Sequence, residues 1–187
     1  MDKDKEIELI KLLQQGDRIA QKELFDKFAP KLLAIAYRYA GSKQEAEDIL
    51  QEAFIKIFEN IKKFRMEGSF EGWLRRIVIN TAIIHYHKTA KYRYHQDFET
   101  IRESDISFYK DIYNEADFTW EELMKVIQSL PKGYRTVFNL YAIEGYKHKE
   151  IAKMLGIDEN TSKSQYHRAK KLLRKKLLQL KKIRNDK

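Results

Sequence analysis

Residues 145–178 read GYKHKEIAKMLGIDENTSKSQYHRAKKLLRKKLL: a short amphipathic run, a glycine, then a longer and very basic run. Ile151, Met154 and Leu155 stand at i, i+3 and i+4, the spacing that places three apolar side chains on one helix face. Gly156 follows as the closing residue of that helix, because glycine enters the left-handed conformation without steric cost. Ile157 packs back, and Asp158 is placed to accept hydrogen bonds from the first free amides of a second helix. On that helix Tyr166, Ala169, Leu172 and Leu173 form one stripe, while Lys163, Arg168, Lys170, Lys171, Arg174, Lys175 and Lys176 occupy the other faces. A tight pair whose second member exposes long cationic donors is the pattern of a helix-turn-helix that sets its second helix into a DNA major groove. An ordinary hairpin with a solvated basic face, or a helix for RNA or a protein partner, uses the same residue types, and spacing alone does not separate them.

The totals suit this reading. With 187 residues, 43% of them hydrophobic, the chain is long enough for one medium domain or two small helical ones. Seven glycines and two prolines leave few interruptions, which favours helices. The formal charge is +9, and it is unevenly spread. Residues 1–87 carry 15 basic and 14 acidic side chains, residues 88–115 carry 5 and 6, and residues 116–187 carry 17 and 8. The excess sits where the basic helix is expected, so a polyanionic partner fits the last third. The absence of cysteine excludes disulfides, thiolate nucleophiles and thiolate metal sites. The polar start Met1-Asp2-Lys3-Asp4-Lys5-Glu6 and the lack of a long apolar run predict a soluble, cytoplasmic protein with no membrane span.

Taken in order, Ile7–Gln14 is expected to be an amphipathic helix broken at Gly16-Asp17, with Asp17 capping the next. Ala20, Leu24, Phe25 and Phe28 recur at helical spacing, and Pro30 suggests the start of a further run with Leu33, Ala36, Tyr37 and Ala40 facing inward. Ser42 followed by Glu45 is a capping-box signature. The helix it opens, to about Lys62, has an apolar stripe of Ala46, Ile49, Leu50, Ala53, Phe54, Ile57 and Phe58. Opposite stand Glu45, Glu47, Asp48, Gln51 and Glu52, either a solvated face or a surface for a basic protein. A loop around Gly68-Ser69 leads to a helix from Gly72 to roughly Lys88. There Trp73 and Ile77 are apolar, and Arg75, Arg76, Asn80, Tyr86 and Lys88 interleave aromatic with polar groups, a mixture suited to single-stranded nucleic acid. Trp73 reads as core or as stacking platform. Periodicity fades over 89–115, resumes over Ala116–Ser129, and restarts at Leu130-Pro131 with Tyr134, Val137, Phe138, Leu140 and Tyr141 before Gly145. The predicted fold is all-α: helical domains over 5–88 and 116–182, the second containing the helix-turn-helix, joined by a partly ordered linker over 89–115.

Catalytic constellations are missing from the pattern. No phosphate-binding loop or dinucleotide fingerprint is present. His85 and His87 lie two apart and so do not share a helix face, and Glu45, Asp48 and Glu52 have no matching Glu-x-x-His pairs. No cofactor, no metal and no enzymatic activity are expected.

Two separated blocks carry a family resemblance. Leu32–Tyr39, then Glu45-Ala46-Glu47-Asp48-Ile49-Leu50-Gln51-Glu52-Ala53-Phe54, and Phe70-x-x-Trp73-Leu74-x-x-Ile77-x-x-Asn80 form the first. Leu130-Pro131-x-x-Tyr134-Arg135-x-Val137-Phe138, Glu144-Gly145-Tyr146, Glu150-Ile151-Ala152 and Thr161-x-Lys163-Ser164-x-x-x-Arg168-Ala169 form the second. In order and spacing they resemble conserved regions two and four of the extracytoplasmic-function (ECF) group of bacterial sigma-70 family RNA polymerase sigma factors. Between Thr81 and Lys88 the chain holds less arginine than the family often places there.

The resemblance implies a promoter-recognition subunit of RNA polymerase. Asp48, Gln51 and Glu52 would bind the polymerase clamp. Lys63, Arg65, Phe70, Arg75, Arg76, Asn80, Tyr86 and Lys88 would serve the promoter −10 element, the Lys63–Phe70 loop holding a base extruded from the single strand. Ser162, Lys163, Ser164, Gln165, Arg168 and Lys171 would serve the duplex −35 element, with Gln165 and Arg168 on base edges and Lys163, Ser164 and Lys171 on phosphates. Implied partners are core RNA polymerase, promoter DNA and a separate anti-sigma factor. The competing reading is a stand-alone helix-turn-helix regulator that binds duplex DNA as a dimer; it leaves the acidic face and the aromatic-basic loop without a role.

Overall fold

A computed structural model describes residues 3–90 and 118–185. The linker expected over 89–115 falls almost wholly outside these residues, as do Ala116 and Asp117. The chain divides into two compact units, Met1–Tyr86 and His87–Lys187, and every described element is helical.

In the first unit, α1 (Lys3–Gln15) buries Leu9, Ile10 and Leu13. Gly16, at φ +83°, turns the chain, and Asp17 Oδ1 accepts from the Ala20 amide at 2.8 Å to open α2 (Arg18–Tyr39). The break expected near Pro30 does not occur; α2 continues through it for 22 residues. Pro30 is exposed, on the face of α2 away from the core, while Leu24, Phe28, Leu32 and Ala36 are buried on the turns before and after it. The inward residues of the second half are Leu32, Ala36 and Tyr39, with Leu33 and Tyr37 only half-buried.

Ser42 Oγ accepts from the Glu45 amide at 3.1 Å, and Glu45 reaches back to the Gly41 amide at 2.6 Å, opening α3 (Lys43–Asn60). Its expected stripe is buried from Ala46 to Ile57. A 3-10 turn, Ile61–Lys63, ends it, and Gln14 Nε2 donates to the Ile61 and Phe64 carbonyls at 3.3 and 3.0 Å, pinning the start of the next loop to α1. Helix α4 (Phe70–Ala90) begins two residues earlier than expected and buries Leu74, Val78, Ile79, Ala82 and Ile83.

In the second unit, Thr119 and Glu122 form a reciprocal capping box for α5 (Trp120–Gln128). Helix α6 (Lys132–Phe138) runs into a π turn over Asn139–Ile143, and Gly145 follows at φ +78°. Helix α7 (His148–Leu155) closes at Gly156, φ +64°, where the Ile157 amide reaches the Ala152 carbonyl at 3.0 Å. Helix α8 (Glu159–Asn185) then packs Ala169 and Leu173 against Val126 and Leu130, with Leu177 and Leu180 extending the contact. The helix-turn-helix therefore has the layout expected of it.

Leu74→Ala, at a position 0% exposed, should cost about 2–5 kcal/mol, whereas Ile19→Ala, 79% exposed, should stay within about 0.5 kcal/mol. Urea titration followed by circular dichroism measures both, and equal midpoints would contradict this core.

Candidate nucleic-acid interface

The outer face of α3 presents Asp48 and Gln51 to solvent. Glu52 differs. It is half-buried, and its Oε2 lies 3.0 Å from His85 Nε2 of α4 and 3.6 Å from Lys56 Nζ. Lys56 in turn donates to buried Thr81 Oγ1 at 3.3 Å. Glu52 thus joins the acidic helix to α4. Sequence spacing does not show this tie, since His85 is 33 residues away.

Between the 3-10 turn and α4 lies a cleft of about 400 Å³ lined by Lys63, Phe64, Arg65, Glu67, Ser69, Gly72, Trp73 and Arg76. Its wall is aromatic. Trp73 is half-buried, with ring centroids 5.2 Å from Phe64 and 6.0 Å from Phe70, so it is both packed and cleft-lining. Met66 and Gly68, at φ 57° and 86°, give the loop its tight path. Ser69 Oγ accepts from the Gly72 amide at 3.1 Å and fixes where α4 begins.

Of the residues expected at this surface, Lys63, Arg65, Arg76, Asn80 and Lys88 are exposed. Arg76 and Asn80, four apart, share one face of α4 with Trp73. Arg75 and Tyr86, eleven apart and hence three turns along one line, are half-buried on a different flank. Phe70 requires correction. It is 1% exposed, packed among Phe28, Phe64 and Trp73, and has no free ring face for a base.

In the second unit Lys163, Ser164 and Lys171 are exposed on α8, and Lys163 pairs with Glu159 at 2.7 Å. Gln165 and Arg168 are half-buried, and Arg168 Nη1 donates to the Tyr134 hydroxyl at 3.2 Å. Ser162 also requires correction. It is 0% exposed, with its Oγ 2.9 Å from His148 Nδ1, and so it joins α7 to α8 instead of facing outward. The His148 ring stacks on Tyr141, centroids 4.2 Å apart, and Tyr166 lies 4.5 Å from Tyr141 and 6.2 Å from Phe138. Tyr166 thus belongs to an aromatic cluster that joins the helix-turn-helix to the end of α6 and the π turn, with Lys170 Nζ 4.7 Å above its ring.

Among the described residues no helix is long and apolar enough to cross a membrane, and no group of acidic and histidine side chains is arranged to hold a metal ion.

Residues 24–92 match sigma-70 region 2, and residues 120–173 match sigma-70 region 4. The chain is 34% identical over 180 residues to the ECF RNA polymerase sigma factor SigW of Bacillus subtilis, covering 91% of this chain and 96% of that one. It is 30% identical over 188 residues to the RNA polymerase sigma-H factor of Pseudomonas aeruginosa, covering 95% and 96%. A solved structure, that of the sigma factor RpoE with the anti-sigma factor NepR from Bartonella quintana, aligns over 83% of this chain and 95% of that one at 20% identity, with a TM-score of 0.49. The chain belongs to the ECF sigma factors of the sigma-70 family. It is a promoter-recognition subunit that directs transcription initiation by RNA polymerase, and it is a binding subunit, not an enzyme. The region 2 match holds the α3 acidic face, the cleft and α4; the region 4 match holds the helix-turn-helix of this sigma factor.

His148 responds to pH. Burial holds its imidazole below the usual histidine range, the Lys163 cation adds to that, and Glu159 opposes it. The unfolded chain therefore binds the proton more tightly than the folded one, so the stability is complete above about pH 6.5 and falls as pH drops below it. The urea midpoint of the second unit should fall between about pH 7.5 and about pH 5.5, and His148→Gln should remove part of that fall. An identical fall in both proteins would show that His148 does not set it.

Proposed function

We propose that this sigma factor divides its work among three faces. Asp48 and Gln51 dock on a basic surface of core RNA polymerase. Glu52, drawn toward His85, contributes to that surface by holding α3 against α4. The cleft between Lys63 and Arg76 receives one unpaired base of the −10 element, with Trp73 as the aromatic wall and Lys63, Arg65 and Arg76 as the cations for the flanking phosphates. Stacking of a base on an aromatic ring contributes about 1–3 kcal/mol, which offsets much of the stacking lost when the base leaves the duplex. Asn80 and Lys88 continue the strand contact along α4, with Arg75 and Tyr86 on its flank. Phe70 acts from below, by fixing the loop.

No bond is made or broken in this scheme. Binding the single strand and not the closed duplex shifts the opening equilibrium by the difference in affinity. On α8, Gln165 and Arg168 meet base edges of the duplex −35 element, and Lys163, Ser164 and Lys171 meet phosphates. Ser162 has the inner role of bracing α8 on α7. The protein works in the cytoplasm, where polymerase and promoter are, and a separate anti-sigma factor covers one or more of these faces to hold it inactive.

The observation that carries this reading is the presence of the aromatic and cationic cleft and of an exposed helix face with Asp48 and Gln51 in the same unit. A dimeric regulator that only grips duplex DNA through α8 needs neither.

Run-off transcription with purified core polymerase and a pool of genomic promoter fragments should give discrete transcripts on addition of the chain. Asp48→Arg should abolish them by blocking docking, and Arg168→Ala should weaken them at promoters that depend on the upstream element. Tight binding of fragments by the chain alone, without transcripts, would favour the regulator reading.

A further inference from the structure

Gln165 and Arg168 lie three residues apart on α8, and both lean on the first turn of α6, which is outside the helix-turn-helix. The Tyr134 hydroxyl accepts from Arg168 Nη1 at 3.2 Å. The Tyr134 ring is set by packing against the cluster of Val126, Leu130, Ala169 and Leu173, so the hydroxyl is a fixed post. One residue earlier, a Cβ built on Gly133 would stand 3.3 Å from Gln165 Oε1 and 3.5 Å from its Cδ and Nε2. Gln165 Oε1 is closed off from solvent against this turn and has no hydrogen-bond partner among the described residues.

These contacts have opposite consequences. An arginine free in solvent samples many rotamers, and ordering them costs binding energy; a hydrogen bond from one guanidinium nitrogen to a fixed oxygen removes part of that cost in advance. The Gln165 amide is instead folded back where glycine leaves room, and its acceptor must swing out before it can meet a base. A buried acceptor with no donor is costly to keep, which favours that swing once a donor is offered.

We propose that the first turn of α6 sets promoter specificity from outside the helix-turn-helix: Tyr134 holds the Arg168 guanidinium in reading position, and Gly133 is the space into which Gln165 retracts. Both are positioning residues, and the proposal rests on the reading that α8 contacts base edges through Arg168 and Gln165.

The test uses holoenzyme assembled from core polymerase and the full chain. The DNA is a pool of duplexes with the upstream element randomised, in a promoter that run-off transcription has identified. Bound DNA is sequenced for the wild type, Tyr134→Phe, Gly133→Ala, Arg168→Ala and Gln165→Ala. Tyr134→Phe keeps the packed ring and loses only the hydroxyl, so its melting temperature should match the wild type. Its base preference should weaken on the order of 3- to 10-fold, a fraction of what a bidentate contact discriminates, at the same base pair that Arg168→Ala affects and at no other. Adding Tyr134→Phe to Arg168→Ala should change nothing further. Gly133→Ala should alter preference only at the base pair that Gln165→Ala affects.

Unchanged preferences in Tyr134→Phe and Gly133→Ala, beside altered ones in Arg168→Ala and Gln165→Ala, would overturn the positioning role and leave the reading of α8 standing. A loss spread evenly over all sequences would overturn it too, because that marks weaker phosphate contact or a loosened fold. If Arg168→Ala and Gln165→Ala themselves leave every base preference intact, the reading of α8 fails and takes this proposal with it.

Discussion

Phe70 is the side chain on which the first unit's surface depends. It opens α4, and it is gripped by Phe28 from α2, Phe64 from the loop and Trp73 from one turn further along its own helix. Five residues separate Phe64 from Phe70, and both rings go inward, so the chain between them must bulge out and turn sharply. The positive φ values of Met66 and Gly68 meet that demand, and the bulge is the rim of the cleft. Burial of an aromatic side chain contributes a few kcal/mol, on the order of what tight turns and a non-glycine residue at positive φ cost. The cleft is thus the outer surface of a well-packed aromatic knot.

Local features were legible in the sequence because they are short-range. Ser42 with Glu45, and Gly156 after Leu155, work through backbone groups three to five residues away, and each stands where its pattern placed it. The apolar stripe of α3 was equally clear, since eighteen residues of 3.6 periodicity leave one face to bury. Pro30 misled because proline's preference is local, whereas the turns on either side are held by α1 and α3. Phe70 misled for a related reason. At i and i+3 it shares a face with Trp73, and Phe28, some forty residues earlier, joins Phe64 in covering it. Ser162 and Glu52 are polar residues on helices whose polar faces invite a partner. Each is drawn to a histidine, fourteen and thirty-three residues away, and no spacing rule reports such pairs.

Net charge needs the same care. Not every cation in the second unit is available to a polyanion. Arg135 is 4% exposed and donates through Nη1 to the Gln128 carbonyl at 2.7 Å, closing the turn between α5 and α6. Arg168 is held by a phenol and Lys163 by a carboxylate. The exposed pair at Lys163 is weak and yields readily to a phosphate, while the buried guanidinium is structural and stays put. The charge that DNA would meet is therefore smaller than the composition suggests, and it is concentrated along α8.

Arg184, near the far end of α8, donates to both carboxylate oxygens of Glu122 at 2.8 and 2.9 Å and lies over the Phe118 ring. The last turns of the long helix are thereby fastened beside the first turn of α5. Lys163 lies twenty-one residues earlier on α8, about 30 Å away at the helical rise per residue. A fluorophore or fused protein attached beyond Arg184 would therefore emerge next to the first turn of α5, well clear of the first turns of α8.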